Sequence, residues 1–270
     1  MKDLALVYMV AGISSRFGGK IKQFAEVGPD GEKLLEYSIK QAIPAGFSKI
    51  VLIVGEKTEK PMKEIFGNSY MGLPILYAKQ EYNQSERDKP WGTADALCSA
   101  KNVIDCPFVV CNGDDLYGQT GFEALANHLR KNNDEATLGY RILEVLPEKG
   151  SINRGIFRTE NNYVKEINEV IGIFKNDLSA SGIKREDLCS MNIFALHANT
   201  IKTLDGIVKK FKEENKGNRK IECYLPVELS NLIKSGEISM RIYDSKEKWF
   251  GVTNPGDEEI VKKELIALKK

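Results

Sequence analysis

Residues 4–10 form an unbroken run of mainly apolar side chains, and a turn rich in glycine and serine follows at once. Such a run predicts a strand that is buried on both faces of a sheet. The small residues of the turn allow backbone N–H groups to approach anionic oxygens, and Arg16 and Lys22 add mobile positive charge. The segment therefore predicts a buried strand that ends in a phosphate-binding loop. The alternative is an ordinary surface turn with solvated basic side chains.

Two well-known phosphate loops are excluded by this segment. No Gly-Lys-Ser or Gly-Lys-Thr triplet follows at the spacing of a Walker A loop. Ser14 stands where the dinucleotide-binding fingerprint requires its second glycine. A third kind of phosphate loop is therefore expected.

Short apolar runs alternate with amphipathic segments through the first half of the chain. The predicted strands are residues 4–10, 49–55, 75–78 and 107–111, and the predicted helices are 34–42, a helix from Gly92-Thr93 to Val103, and 121–129. This order implies a three-layer α/β fold with a mostly parallel central sheet and right-handed crossovers. Ligands of such sheets collect at the carboxyl ends of the strands, where the glycine-rich turn and the turn at 112–115 both lie.

The second half of the chain mixes strands with helices. The predicted strands are residues 136–143, 155–159, 163–169, 191–196 and 238–243, and the predicted helices lie near 199–214 and 225–235 and begin again at about 257. The turn at 160–162 predicts a hairpin. No internal repeat or low-complexity linker interrupts the sequence, so we expect one domain over residues 1–270, with inserted strands that form the floor or lid of a second pocket.

The composition argues against several partners and locations. A formal net charge of +1 gives no case for nucleic acid or an anionic membrane as the main partner. No apolar run approaches the roughly 20 residues that span a bilayer. The N-terminus lacks the basic start, apolar core and cleavage site of a signal peptide. We therefore expect a cytoplasmic location.

The five cysteines and two histidines predict neither a zinc site nor a histidine-based triad. The cysteine count is odd, the spacing is irregular, and no Cys-x-x-Cys pair occurs. Most of the cysteines lie in apolar runs, as free buried thiols do, which fits a reduced compartment. A single nucleophilic cysteine is the alternative.

Two adjacent carboxylates, Asp114 and Asp115, follow Gly113 at the end of the fourth predicted strand. A hard divalent cation prefers carboxylate oxygens, and a strand end aims one of the two carboxylates into the cleft. The segment therefore predicts a metal site beside the phosphate loop. The alternative is a turn in which an aspartate caps the next helix.

The pair Gly92-Thr93 begins a helix, so its N–H groups and the threonine hydroxyl are expected to face the cleft. These groups are suited to hydrogen bonds with a base edge or a phosphate. Simple capping of the helix by Thr93 explains the same residues equally well.

Polar side chains also lie at the ends of apolar strands in the second half of the chain. They are Asn153, Arg154, Glu166, Asn168, Glu169, Ser190 and Asn192. Sugar hydroxyls need paired donors and acceptors of this kind. For any one of these residues, a solvent-exposed strand face is the alternative.

Taken together and in order, these segments resemble the sugar-phosphate nucleotidylyltransferases. The matching elements are residues 11–17 with Lys22-Gln23, 92–96, 113–115, 154–157, Glu169, Asn192 and 249–252. The resemblance covers residues 4 to about 258 and implies a Rossmann-like, glycosyltransferase-A-type fold with a small inserted β-element on the acceptor side. It implies a nucleotide-binding half at about 1–118 and an acceptor-binding half at about 119–270. It also implies that Mg²⁺ assists the joining of a nucleoside triphosphate to a sugar 1-phosphate, with release of pyrophosphate.

The resemblance assigns a role to each matching residue. The loop residues Ala11, Gly12, Ser14 and Ser15 would hold the nucleotide, Arg16 would grip the β- and γ-phosphates, and Lys22 would bridge the α-phosphate. Gln80, Gly92 and Thr93 would face the base, Asp114 would bind Mg²⁺, and Gly155, Glu169 and Asn192 would meet the sugar or its equivalent.

The sequence departs from the family pattern at the acceptor site. Where many members have Glu-Lys, this chain has Glu169 followed by Val170, so the lysine that would hold the acceptor's phosphate is missing. Lys165 and Arg154 are the candidates to replace it. Ser14 also replaces a usual glycine of the phosphate loop.

A second departure concerns the metal site. A late strand often supplies a second metal-binding aspartate, but Gly251 or Thr253 stands where that carboxylate is expected. Asp257 lies slightly beyond and is the candidate substitute.

Three other functions fit the same residues. The first is cytidylyl transfer to a non-sugar phosphate, or nucleotidyl transfer to a cofactor precursor. The second is a glycosyltransferase that consumes nucleotide sugars. Such an enzyme does not need basic side chains that bind a leaving pyrophosphate. The third is a nucleotide sensor without catalysis. The nucleobase, the acceptor and the oligomeric state, including a homo-oligomer, stay open at this point.

Overall fold

The computed structural model describes residues 3–12, 21–148, 150–178 and 182–268. Within these ranges, thirteen strands form one sheet of eleven and a separate pair of two-residue strands.

The strands follow the predicted alternation closely in the first half. Their bounds are β1 Ala5–Met9, β2 Lys49–Val54, β3 Ser69–Tyr70, β4 Leu73–Lys79, β5 Phe108–Asn112, β6 Asp115–Leu116, β7 Glu135–Arg141, β8 Ser151–Glu160, β9 Tyr163–Phe174, β10 Leu188–Cys189, β11 Phe194–Leu196, β12 Met240–Asp244 and β13 Phe250–Gly251. The order of the strands in the large sheet is β10-β8-β9-β12-β7-β11-β5-β1-β2-β4-β3, and β6 and β13 form the separate pair.

Helices connect the strands and cover the sheet. Their bounds are α1 Leu34–Ala42, α2 Glu56–Phe66, α3 Thr93–Ser99, α4 Gln119–Lys131, α5 Ile142–Val145, α6 Ala198–Glu214, α7 Leu225–Lys234 and α8 Asp257–Leu268. Short 3₁₀ turns lie at Lys22–Phe24 and Ile43–Ala45.

The central strand β1 is buried on both faces, as its apolar run predicts. Successive side chains of a strand point to opposite faces. Leu6 and Tyr8 pack into one hydrophobic core with α1 and α4, whereas Ala5, Val7 and Met9 pack into another with α3, α6 and α7. The sheet therefore forms the middle layer of the fold, and each core joins it to an outer layer of helices.

The sheet is mixed, and the predicted α/β class is confirmed. Parallel pairing joins β4, β2, β1 and β5, and it recurs between β12 and β7. Antiparallel strands occupy the second half, where β11 lies between β5 and β7 and the long hairpin of β8 and β9 extends the sheet. The carboxyl ends of β1, β2, β4 and β5 therefore share one edge, as predicted for the ligand side.

The predicted hairpin at 160–162 is present. Asn161 and Asn162 both have positive φ, at 52° and 64°, and Glu160 pairs with Tyr163 across the turn. Asparagine tolerates this left-handed backbone, and consecutive positive φ values match the right-handed twist of the flanking strands.

Several boundaries differ from the sequence prediction. The helix that begins at Thr93 ends at Ser99, short of Val103, because residues beyond it continue as turns. The strand predicted at 136–143 gives way to the short helix α5 from Ile142. The helix α2 was not predicted, because only Thr58, Met62 and Phe66 of this polar segment are buried.

All five cysteines are free and buried. Burial raises the pKa of the Cys98, Cys189 and Cys223 thiols to about 12, so the nucleophilic thiolate is disfavoured. In the described ranges, no helix combines the length and apolar character needed to span a bilayer.

Candidate functional site

A cleft of about 660 Å³ opens at the carboxyl ends of β1 and β5. Eight of the residues proposed from the sequence line it together: Ala11, Gly12, Lys22, Gln80, Gly92, Thr93, Asp114 and Asn192. The predicted loop residues Ser14, Ser15 and Arg16 lie outside the described residues.

A tight turn after β5 places Asp114 at the edge of this cleft. The Gly113 N–H donates to the Met9 carbonyl oxygen at 3.1 Å, which ties the turn to the end of β1. A Cβ atom on Gly113 would lie 2.3 Å from Val10 Cγ1, so this close approach requires glycine. The Gly-Asp sequence is thus a packing requirement as well as a source of carboxylates.

Lys22 faces Asp114 across the cleft. The distance from Lys22 Nζ to Asp114 Oδ2 is 3.5 Å, and the two side chains are 17% and 30% exposed. Burial raises the pKa of Asp114, and the positive charge of Lys22 opposes that shift. The pair brings one cation and one carboxylate to the point where β1 and β5 end.

The second carboxylate of the turn has a different environment. Asp115 is buried and accepts hydrogen bonds from Asn112 Nδ2 at 2.9 Å and from the Tyr117 hydroxyl at 3.1 Å. Burial and the neighbouring charge of Asp114 raise the pKa of Asp115. Asp115 is therefore held inside the protein, and Asp114 is the carboxylate that the cleft receives.

The donor set fits a magnesium ion that arrives with substrate phosphates. Within the residues that the structure describes, no cluster of three or more acidic, histidine or cysteine side chains is placed to hold a metal ion. Mg²⁺ commonly uses one or two carboxylates together with substrate phosphates and waters, and Asp114 can supply such a carboxylate. The predicted substitute Asp257 accepts from the backbone N–H groups of Thr253 and Asn254, at 2.8 and 2.7 Å, and so begins α8 rather than serving the cleft.

Gln80 lies 7% exposed at the end of β4, in the wall of the cleft. Its amide nitrogen donates to the Gly92 carbonyl oxygen at 3.0 Å and to Asp95 Oδ2 at 2.8 Å. Because a carbonyl and a carboxylate only accept, the amide nitrogen must face them. Asp95 also forms an ion pair with Lys212, which holds the carboxylate in place.

Gly92 and Thr93 are joined to the start of α7. Gly92 has φ of 101°, and a Cβ atom there would lie 2.5 Å from the Cys223 carbonyl oxygen. The Thr93 hydroxyl accepts from the Leu225 N–H at 2.9 Å. Thr93 is therefore the first residue of α3 and a link to α7, not the cap of its own helix.

Of the predicted acceptor-side residues, Gly155 and Glu169 lie on the hairpin of β8 and β9 and are not among the residues that line this cleft. Gly155 of β8 pairs directly with Glu169 of β9, and the Ser190 N–H donates to the Gly155 carbonyl oxygen at 2.8 Å. Asn192 follows with φ of 57° and lines the cleft. Burial raises the pKa of Glu169, and Arg154 opposes that shift.

The sequence matches the family model for nucleotidyl transferases over residues 20–171. The chain belongs to this nucleotidyl transferase family. It is 30% identical over 152 residues to the UTP–glucose-1-phosphate uridylyltransferase of Haloferax volcanii. That alignment covers 56% of this chain and 56% of the relative, so it spans little more than half of the relative's length.

Solved structures of similar fold cover the whole chain. A putative glucose-1-phosphate thymidylyltransferase from Bacillus anthracis, in complex with a sucrose, has a TM-score of 0.71 at 14% identity and covers 97% of this chain and 95% of its own. The inositol-1-phosphate CTP transferase from T. maritima has a TM-score of 0.67 at 16% identity, with coverage of 98% and 95%. The UTP-bound UGPase from Acinetobacter baumannii has a TM-score of 0.67 at 15% identity, with coverage of 100% and 95%. At these identities, the likeness shows the shared fold.

In this nucleotidyl transferase, Asp95 and Lys212 belong to the network around Gln80; the sequence placed Asp95 in the matching segment 92–96 without giving it a role, and it gave no signal for Lys212. Asp95 lies in the first turn of α3, where an acidic residue is unremarkable, and Lys212 lies more than a hundred residues away on α6. Only the fold brings the two charges beside Gln80.

Arg87 is a buried residue behind the cleft that the sequence did not single out. It is 3% exposed and donates to the Asn218 carbonyl oxygen at 2.6 Å and to that of Lys89 at 3.1 Å. Its guanidinium also lies 3.5 Å from the centre of the Trp91 ring. Arg87 therefore fixes two loops that meet at one side of the cleft.

Proposed function

We propose that this nucleotidyl transferase joins a nucleoside triphosphate to a sugar 1-phosphate and releases pyrophosphate. The observation that carries the proposal is the Lys22–Asp114 pair in the same cleft as Gln80 and Gly92. One end of this cleft offers the charges that phosphates need, and the other offers the polar groups that a base needs. The uridylyltransferase relative supports the same reaction class.

The reaction is an in-line displacement at the α-phosphorus. An oxygen of the acceptor's phosphate forms a new P–O bond, the bond to the β-phosphate oxygen breaks, and pyrophosphate leaves with the electron pair. Such a step needs alignment and positive charge where negative charge accumulates, and it needs no covalent intermediate. Lys22 would hold the α-phosphate, and Arg16 would stabilise the departing pyrophosphate.

Asp114 would hold Mg²⁺ together with phosphate oxygens of the substrates, and the bound ion would neutralise part of their charge. On the acceptor side, Gly155 allows close approach of the substrate, and Glu169 and Asn192 would bind its hydroxyl groups. The loop residues Ala11, Gly12, Ser14 and Ser15 would direct N–H groups at the triphosphate.

Gln80 favours a base that carries a ring N–H. Since its amide nitrogen is engaged by Asp95 and Gly92, the amide oxygen is the group left for the nucleotide. At ring nitrogen N3, uracil and thymine carry a hydrogen that can be donated to the amide oxygen, whereas the N3 of cytosine is itself an acceptor. We therefore infer that the enzyme transfers a uridylyl or thymidylyl group in preference to a cytidylyl group.

A second candidate acceptor is a phosphorylated polyol. Val170 stands where many relatives place a lysine, so the acceptor site of this chain differs from that of a typical family member. The transfer reaction and its leaving group stay the same for either acceptor.

The deciding experiment is a matrix of four nucleoside triphosphates against sugar 1-phosphates and polyol phosphates with Mg²⁺. We expect pyrophosphate release with UTP or dTTP and at least one sugar 1-phosphate, and no release by the Asp114→Asn variant. Release of UDP from a UDP-sugar would instead indicate a glycosyltransferase. Triphosphate binding without turnover on any acceptor would indicate a sensor.

A further inference from the structure

The hairpin of β8 and β9 lacks a lysine beside Glu169, but it carries a cation directly opposite the gap. Arg154 of β8 pairs with Val170 of β9 in the antiparallel register. Directly opposite residues of an antiparallel pair project from the same face with Cβ atoms about 4.5–5.5 Å apart. Arg154 thus emerges beside the position where the lysine is missing.

The other candidate from the sequence, Lys165, is placed elsewhere. It lies near the hairpin turn, and its Nζ is 3.1 Å from Glu160 Oε2. Both side chains of that pair are more than half exposed, at 57% and 66%. Lys165 is therefore a surface ion pair at the far end of the hairpin.

A β-bulge lies next to Arg154. The register moves by two residues on β8, from Ile152 to Arg154, and by three on β9, from Ile173 to Val170. A bulge of this kind bends its strand and re-aims neighbouring side chains, and it often lies beside a functional site. Gly172 has φ of 72° there, and its N–H donates to Asn153 Oδ1 at 3.0 Å.

The Arg154 guanidinium has donors without partners. One nitrogen, Nη1, donates to the Asn153 carbonyl oxygen at 3.1 Å, whereas Nε is buried and has no hydrogen-bond partner among the described residues. A buried donor without a partner is unfavourable, and an anionic ligand at this position would satisfy it. Within the described ranges, Arg154 forms no ion pair, although its charge acts on Asp115 and Glu169.

Gly251, which lies beside Asp115, has no room for a carboxylate side chain. Gly251 pairs with Asp115, and a Cβ atom on Gly251 would lie 2.3 Å from Trp249 Cζ2 and 2.7 Å from Asp115 Oδ1. The Trp249 ring occupies the volume next to Gly251, and the centre of this ring lies 5.7 Å from the Arg154 guanidinium carbon. On this side, the Arg154 guanidinium therefore meets an aromatic ring rather than a further carboxylate.

We propose that Arg154 binds the phosphate group of the acceptor substrate, in place of a lysine on the facing strand. The inference rests on the proposed transfer reaction and names the group that holds its second substrate. Guanidinium groups bind phosphate through charge-assisted hydrogen bonds, often two in parallel. Arg154 would also orient the attacking oxygen toward the α-phosphorus above Asp114.

The test compares Arg154→Met with the double variant Arg154→Met/Val170→Lys. Loss of a hydrogen bond to a charged group typically costs a factor of ten or more. We expect Arg154→Met to raise the KM for the acceptor phosphate at least about tenfold, with the Kd for the triphosphate nearly unchanged. The double variant restores a cation from across the hairpin, so it should recover most of that loss. Arg158→Met, on the exposed part of the same strand, is the matched control.

Two outcomes would overturn the proposal. The first is an unchanged acceptor KM and kcat in Arg154→Met. The second is equal loss of acceptor and triphosphate affinity with no recovery on adding Val170→Lys, which would assign Arg154 a structural role beside Asp115. If wild-type protein releases no pyrophosphate with any substrate pair, the transfer reaction itself fails, and that result is distinct from both.

A second variant keeps the test decisive if Arg154→Met does not fold. Val170→Glu retains Arg154 and places a carboxylate beside it, which would neutralise the cation and repel a phosphate. We expect this change to raise the acceptor KM at least about tenfold relative to Val170→Gln, which has the same shape without the charge. Equal KM values in these two variants would contradict the proposal.

Discussion

The Gln80 amide nitrogen lies 2.8 Å from Asp95 Oδ2, and this contact sets the direction in which the amide oxygen points. Lys212 pairs with the other oxygen of Asp95, so the carboxylate is held between a cation and the amide. A buried network of this kind fixes its members only while every donor and acceptor is satisfied. The orientation of Gln80, and with it the proposed choice of base, depends on the charge of Asp95.

Asp95→Asn should therefore weaken discrimination between UTP and CTP. An asparagine can donate as well as accept, so only the Gly92 carbonyl oxygen still requires the Gln80 amide nitrogen, and the amide turns more readily to present that nitrogen to the acceptor position of cytosine. A misplaced donor at a base edge typically costs about 1–3 kcal/mol, and we expect the UTP-to-CTP ratio of kcat/KM to fall at least about tenfold.

Asp205→Asn is the matched control for this change. It also replaces an aspartate by an asparagine, but Asp205 pairs with Lys101 and Lys209 rather than with Gln80, so the base preference should persist. Measured Kd values for both triphosphates give an independent readout. The same UTP preference in Asp95→Asn as in the wild type would remove Asp95 from this role.

The charges at the strand ends should dominate the rate. Loss of one preorganised group that stabilises developing charge typically lowers kcat by about 10²–10³-fold. We expect Asp114→Asn and Arg16→Ala each to lose at least that much pyrophosphate release while the thermal melting curve stays close to wild type. Asp105→Asn, a change at an exposed surface ion pair, is the control for loss of a carboxylate alone. Near-normal turnover in either site variant would exclude that residue from the chemistry.

A histidine outside the cleft should give the stability a defined pH dependence. His197 Nδ1 lies 2.9 Å from Glu135 Oε2, and this hydrogen bond raises the pKa of His197 from its ordinary 6.5, with a further contribution from the charge of Asp134. A histidine whose pKa is raised by folding stabilises the protein fully below its unfolded pKa, and that contribution is lost as pH rises through the folded pKa.

Urea unfolding of wild type and His197→Gln over a pH series checks this expectation. The difference in unfolding free energy between the two proteins should be largest near pH 5.5 and should shrink as pH rises through the raised pKa of His197. The second histidine is present in both proteins, so it does not contribute to this difference. A difference that stays constant with pH would contradict the assignment.

The sequence predicted the parallel half of the fold because its signals are local. The apolar run at residues 4–10 predicts a strand buried on both faces, and the turn at 112–115 marks the end of the fourth predicted strand. Contacts between distant segments leave no such signal. The pairing of β6 with β13, which places Gly251 against Asp115, joins residues more than a hundred positions apart. For the candidate site, Asp114 was proposed from its motif and Gln80 from the family resemblance, whereas the contact of Lys212 with Asp95 and the position of Arg154 opposite Val170 required the fold.

Gly251 offers a direct test of whether this chain has room for a second carboxylate. A Cβ atom at this position would lie under 3.0 Å from both the Trp249 ring and Asp115, so even alanine must displace one of them. Overpacking of this kind costs about 1–3 kcal/mol, and we expect Gly251→Ala to lower the free energy of unfolding by that amount.

Gly206→Ala, in the middle of α6 with no atom within 4 Å of the added Cβ, should instead raise the free energy of unfolding by about 0.5–1 kcal/mol. Denaturant titrations of the two variants measure both effects. If Gly251→Ala proved as stable as wild type, the position would have space for a side chain, and the argument that the site works with the single carboxylate of Asp114 would fail.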